Sequence, residues 1–218
     1  MVWQEFIDTK IQHIDISTEI SSLKSVFSNQ NFNHLPVFSK GNFIGCIQKE
    51  DLTDLPSEDN LENHRYLLDV FFTETHETSL DLIHQFVNHQ TNLLPILDEQ
   101  KKYVGAMKLV DALDLFGESP FIANEGEVII LMKALDKFAF SEVSQLVESQ
   151  NAKLSGMFIS DLQKDFVEIT LKVEHQGLNE ILQTFRRYDY EIKSEHPEDL
   201  FTEDLKEHAD YLNKYLDI

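Results

Sequence analysis

Arginine, cysteine and long apolar runs are scarce in this 218-residue chain, and each scarcity removes a class of function. Only three arginines are present, Arg65, Arg186 and Arg187, and the 18 basic side chains face 39 acidic ones, for a formal charge of −21. Such a surface repels a phosphate backbone and an anionic bilayer, so non-specific nucleic-acid binding and membrane-surface binding are excluded. The single cysteine, Cys46, cannot form an internal disulfide, and in an apolar run it reads as an inert buried thiol. No apolar run approaches the roughly 18 residues of a membrane helix. The opening residues, Met-Val-Trp-Gln-Glu-Phe-Ile-Asp, carry no basic flank, apolar h-region or cleavage signal, and we expect a cytoplasmic protein. No P-loop, Gly-x-Ser-x-Gly or Cys-x-x-Cys is found, and His84 and His89 are five apart, one too many for an i, i+4 metal pair. With no catalytic or metal constellation, the chain is expected not to be an enzyme.

What is present is a duplication. Residues 14–52 and 75–112 read as one segment written twice: Thr18 lies over Thr78, Ile20 over Leu80, Leu23 over Ile83 and Phe27 over Val87, an offset of 60. On this reading the offset slips to 59 at Pro36 and Pro95 and returns to 60 at Gly45 and Gly105 and at Asp51 and Asp111. Each copy runs through a helix pattern, Leu-Pro-Val or Leu-Pro-Ile, a polar turn and an apolar-Gly pair, with Asp six residues after that Gly. Ser17 or Thr18 is the expected cap of the first helix, and a hairpin is expected about Ser39–Asn42. A short leading helix is expected over residues 3–11, and a connector helix in the acidic stretch 50–81, which holds ten acids and one arginine.

These copies, with His34-Leu35-Pro36-Val37, Phe43-Ile44-Gly45-Cys46-Ile47 and Asp51-Leu52, then Leu93-Leu94-Pro95-Ile96, Tyr103-Val104-Gly105-Ala106-Met107 and Asp111-Ala112-Leu113, resemble a cystathionine-beta-synthase (CBS) domain pair. The resemblance implies two copies packed about a pseudo-twofold axis, a homodimer, and an adenosyl ligand (AMP, ADP, ATP or S-adenosylmethionine) in the clefts between copies. In that family the strand end reads Gly, two apolar residues, Ser or Thr, two residues, Asp, the hydroxyl meeting phosphate and the carboxylate both ribose hydroxyls. Carried onto this chain, the ribose residues are Asp51 and Asp111, and Gln48 and Lys108 stand on the phosphate side in place of the hydroxyls. A carboxylate with two acceptor oxygens suits a vicinal diol, and Lys108 brings a cation where a phosphate sits, which favours the second motif. The competing reading makes Asp51 and Asp111 helix N-terminal acids held by the macrodipole. His34, Leu35, Pro36, Leu94 and Pro95 are expected to line the clefts, His34 as a loop residue at the rim.

Beyond Gly117-Glu118-Ser119-Pro120 the pattern changes. Val128–Met132 reads as a strand and Ser141 as a helix cap. Val167, Ile169, Leu171 and Val173 alternate strictly with polar residues, and Leu178, Ile181, Leu182 and Phe185 mark a helix. The order βαββαβ is ferredoxin-like. At this position, with Leu135-Asp136-Lys137-Phe138-Ala139 in the first loop, it resembles an ACT domain, and the pairing resembles that of acetoin-utilisation-type CBS-ACT proteins. The ligand-binding members of that family carry Gly where Ala139 stands, so Asp136 and Ala139 mark a loop as well suited to a structural or dimerising role as to amino-acid binding. The expected organisation is α+β (α/β): a CBS pair over 1–120, with repeats about 11–56 and 70–117, an ACT-like domain over 121–195, and a C-terminal helix over 196–218 bearing Leu205, Ala209, Leu212 and Leu216. The expected function is sensing of an adenosyl ligand with no required cofactor or metal, passed to an unidentified protein target. The alternative is a ligand-free scaffold that acts by oligomerisation.

Overall fold

The computed structural model describes residues 3–11 and 13–199, and the chain divides into two compact α+β units, Met1–Glu118 and Ser119–Ile218. The stripe Leu205, Ala209, Leu212 and Leu216 lies outside the described residues.

In the first unit the duplication is explicit. One copy contains β1 (Ile14–Asp15), α1 (Ile20–Asn29), β2 (His34–Ser39) and β3 (Asn42–Gln48); the other contains β4 (Thr73–Glu74), α2 (Ser79–Asn88), β5 (Leu93–Leu97), β6 (Tyr103–Lys108) and α3 (Leu109–Gly117). Each copy forms a three-stranded sheet, with β1 parallel to β2 and β3 antiparallel to it, and β4, β5 and β6 arranged likewise. The sheets show that the offset never drifts and returns. It is 59 from β1 to the end of β2, as in Ile14↔Val37 against Thr73↔Ile96, and becomes 60 once, in the hairpin. Lys40 and Gly41, both at positive φ, close the first hairpin in two residues. The second takes one residue more, its turn organised by the Asp98 carboxylate, which accepts from Gln100 N–H at 2.9 Å and Lys102 N–H at 2.8 Å.

The helix alignment at 60 is therefore corrected. Leu82 and Phe86, not Ile83 and Val87, occupy the places of Leu23 and Phe27 in the core, while Leu80 and Val87 are 69% and 68% exposed. The expected cap is also corrected. Glu19 precedes α1 without a side-chain cap, and Ser17 instead donates from N–H (2.9 Å) and Oγ (2.6 Å) to Asp15 Oδ1, whereas α2 has a capping box of Thr78 and Asp81. The leading helix is a 3-10 turn, Trp3–Phe6, and the connector is 3-10 as well, Leu61–Leu67, broken at His64, whose Nε2 lies 2.8 Å from Asp59 Oδ2. Asp51 and Leu52 close the first copy in a 3-10 turn, Glu50–Leu52, where the second copy has the α-helix α3.

The two copies share their interiors. Leu93 and Ala106 pack into the core of the first copy, and Cys46 into that of the second, with Trp3 and Phe71 beside it. At the pseudo-twofold axis Asn33 N–H donates to Asn92 Oδ1 and Asn92 N–H to Asn33 Oδ1, both at 2.9 Å; their amides donate to Gln90 O (2.6 Å) and Asn31 O (2.7 Å). Two identical backbone donors, each held by the other copy's side chain, fix the relative position of the copies.

The second unit begins with α4 (Pro120–Ala123) and continues with β7 (Glu127–Ala134), α5 (Phe140–Ser149), β8 (Lys153–Leu162), β9 (Phe166–Glu174), α6 (Leu178–Arg187) and β10 (Glu191–Ile192). The sheet order is β10-β7-β9-β8, antiparallel throughout, with the expected βαββαβ succession. Val167, Ile169, Leu171 and Val173 are fully buried under Val143, Val147, Ile181, Leu182 and Phe185. Ser141 lies inside α5, not at its cap, which is Ala139. Lys133, buried in the sheet, pairs with Glu142 and sits 4.1 Å over the Tyr190 ring, while Tyr190 Oη donates to Glu142 Oε2 at 2.7 Å.

Candidate functional site

Each repeat is crossed by the segment that leads into the other. Asp8, upstream of the first repeat, makes a two-bond bridge to the second: Asp8 N–H to Ala106 O at 2.8 Å and Ala106 N–H to Asp8 O at 3.1 Å. Asp69, upstream of the second, makes the same bridge to the first: Cys46 N–H to Asp69 O at 2.7 Å and Asp69 N–H to Cys46 O at 3.0 Å. The motif glycines make both crossings feasible. A Cβ on Gly105 would meet Ile7 Cγ2 at 2.6 Å and Asp8 O at 2.9 Å; one on Gly45, at φ +147°, would meet Asp69 O at 3.0 Å.

In the second repeat, β6 delivers Lys108 to the N-cap of α3, and Asp111 stands in the first turn of that helix. Both line one open groove of about 450 Å3, with Glu5, Phe6, Ile7, Asp8, Thr9 and Lys10 on the opposite wall. Among the described residues nothing donates a hydrogen bond to the Asp111 carboxylate. Lys108, by contrast, is engaged: its Nζ donates to Asp8 Oδ2 at 2.9 Å, and Lys10 N–H donates to Asp8 Oδ1 at 2.9 Å. The Lys108 ammonium and then the Lys10 N–H hold the Asp8 carboxyl below the usual carboxylate range, and Asp8 in turn raises Lys108. The cation expected to stand open for phosphate has an internal partner.

In the first repeat, Gln48 ends β3 opposite His34, and Asp51 lies in the 3-10 turn that follows. His34 is not a rim loop residue. It belongs to β2 and is 4% exposed, edge-on to Phe71 at 5.3 Å, and Phe71 stacks on His89 at 4.3 Å. Burial lowers the His34 pKa, opposed by the Asp69, Glu50 and Asp51 carboxylates. Asn33 Oδ1 already accepts from Asn92 N–H, so the 3.1 Å contact with His34 Nδ1 makes the neutral ring an Nδ1–H tautomer. His89 Nδ1 lies 3.3 Å from Asp69 Oδ2. Leu35 and Leu94 are fully buried core residues, and Pro36 and Pro95 are buried within β2 and β5. They support the sheets from inside because each strand is covered by its own helix and by the twin copy. The Cys46 thiol is pushed well up by burial.

In the second unit Asp136 is exposed in a 3-10 turn, Leu135–Lys137, and Ala139 adopts φ −146°, a conformation open to any residue. Sequence reasoning missed Asp8, Glu5 and Lys10, which meet the motif from a hundred residues away. It also missed Asn33 and Asn92, whose recurrence at the offset of Pro36 and Pro95 was a readable signal.

No family model and no curated protein matches the chain. Solved structures do. Its structural neighbours are CBS domain pair proteins. A CBS domain pair/ACT domain protein from Thermotoga maritima aligns at 24% identity and a TM-score of 0.49, over 54% of this chain and 98% of its own. The CBS domains of a transcriptional regulator from Streptococcus pneumoniae align at 8% identity and 0.46, over 52% and 98%. The CBS domain of a bacterial CNNM/CorC family Mg2+ transporter, solved in complex with ATP, aligns at 14% identity and 0.43, over 51% and 83%. No helix among the described residues is long and apolar enough to cross a membrane.

Proposed function

We propose that the paired repeats are a non-catalytic regulatory module that takes an adenosyl ligand in the groove of the second repeat, with Asp111 receiving the ribose hydroxyls. The observation that carries this reading is the convergence of Lys108 and Asp111 with residues 5–10 along one open groove of about 450 Å3. The wall formed by residues 5–10 is held through Trp3 Nε1, which donates to Glu77 O at 2.9 Å, and Gln4 Nε2, which donates to Thr75 O at 2.7 Å. A ligand there touches the leading segment and α3 together and shifts their arrangement by as much as it prefers one over another. The βαββαβ unit, which we read as ACT-type, receives that shift or passes it to a protein target. The test is calorimetry with adenosine, S-adenosylmethionine, AMP and ATP on the full chain and on Asp111→Ala. Saturable binding lost in the variant supports the reading, and binding unaffected by it overturns the ribose assignment.

A second reading, a scaffold that acts by self-association, is favoured by exposed apolar side chains: Leu80, Val87, Val110 and Leu113 on α2 and α3, and Phe158, Ile159, Leu162 and Phe166 on β8 and β9. In the first repeat the places of Leu80 and Val87 are taken by Ser21 and Ser28, so association would run through one repeat only. Sedimentation of the full chain, against Leu80→Ser/Val87→Ser and Phe158→Ser/Leu162→Ser, distinguishes a dimer held by either surface from a monomer.

A further inference from the structure

We infer that the groove of the second repeat selects among adenosyl compounds by charge, taking a neutral or cationic one, such as adenosine or the sulfonium S-adenosylmethionine, in preference to a polyphosphate nucleotide. The inference rests on the adenosyl reading above and concerns the same site. Of the ionisable side chains lining the groove, Glu5, Asp8 and Asp111 are acidic and Lys10 and Lys108 basic, so the wall carries one net negative charge. Lys108 and Asp8 neutralise one another at 2.9 Å. Asp8 is not free to swing away. Its backbone is bonded twice to Ala106, its other carboxylate oxygen accepts from Lys10 N–H, and Gly105 packs directly beneath it. A phosphate brought to Lys108 therefore meets the Asp8 carboxylate as well.

The pair is partly open, with side-chain exposures of 36% for Lys108 and 30% for Asp8, so screening is close to that of water. At about 4 Å in such a medium each unlike or like charge pair changes affinity by a factor of about five. A ligand with several negative charges is penalised more than once, and the chain's −21 adds to the repulsion at low salt. A sulfonium or ammonium beside Asp8 and Glu5 gains by the same arithmetic.

The experiment is calorimetry of the full chain with adenosine, S-adenosylmethionine and ATP, counting binding that Asp111→Ala abolishes, and repeated on Glu5→Gln and Asp8→Asn. Glu5→Gln removes a charge without touching the Asp8 bridge, so it keeps the test valid if Asp8→Asn loosens the leading segment. We expect adenosine and S-adenosylmethionine to bind at least tenfold tighter than ATP. Measured relative to adenosine on the same variant, each substitution should improve ATP about fivefold and weaken S-adenosylmethionine. Equal or tighter ATP binding in the unmodified chain, with no gain in either variant, overturns the charge inference while leaving the adenosyl site standing. Absence of binding by all three compounds overturns the site itself.

Discussion

Replacing Asn33 by alanine removes the most symmetric device in the first unit, and the cost follows from its bonds. The Asn33 side chain accepts from Asn92 N–H, donates to Gln90 O and contacts His34 Nδ1. Alanine leaves one part-buried backbone N–H and one buried imidazole N–H without acceptors, each costing about 1–3 kcal/mol less whatever water restores. We expect a loss of about 2 kcal/mol for Asn33→Ala and slightly less for Asn92→Ala, which leaves Asn33 N–H without its acceptor and the exposed Asn31 O without its amide donor but strands no imidazole. Because each side chain holds the other's backbone, the double variant should lose at least about 0.5 kcal/mol less than the sum. Urea titration followed by the fluorescence of Trp3, the only tryptophan and 4% exposed in the second repeat's core, reads this unit directly. With a urea dependence of about 2 kcal/mol/M, each single variant should lower the midpoint by about 1 M. Losses under about 0.5 kcal/mol would show that the apolar core alone sets how the repeats sit together, and strict additivity would show that the two bonds act independently.

Gly105→Ala should detach the leading segment, since its Cβ collides with Asp8 O; a red shift of Trp3 emission is expected, and an unchanged spectrum would contradict the crossing. Glu142→Ala strands the buried Lys133 ammonium and should destabilise the second unit by about 3 kcal/mol, against about 1 kcal/mol for Tyr190→Phe, measured by calorimetric unfolding. His34 has a folded pKa lowered by burial, so the unfolded chain binds the extra proton first. Its stabilising contribution is complete above the unfolded value of about 6.5 and falls as pH drops below it, and His34→Gln should flatten stability against pH there. Cys46, with its thiol pKa raised, should resist a thiol reagent until the chain unfolds.

The fold was legible where local chemistry and burial agree. Gly45 and Gly105 recur because a close backbone crossing leaves no room for a Cβ, and the alternation of Val167 to Val173 reflects a sheet covered on one face. The α2 register was misread because Leu80 and Val87 are apolar yet face solvent, so hydrophobicity alone placed the helix one residue out. The apolar spacing of the connector does not distinguish a 3-10 from an α-helix, and the break at His64 leaves no apolar signature. The groove was half legible. Its α3 wall is a motif, but the opposite wall arrives from residues 5–10, and only the folded chain brings Asp8 to Lys108.

The central claim, a ligand groove built on Asp111, is tested most directly by titrating adenosine into the full chain, Asp111→Ala and Asp51→Ala in parallel. The account predicts one saturable site that survives Asp51→Ala and disappears in Asp111→Ala. Binding that disappears only with Asp51→Ala, or no heat with any of the three proteins, would contradict it.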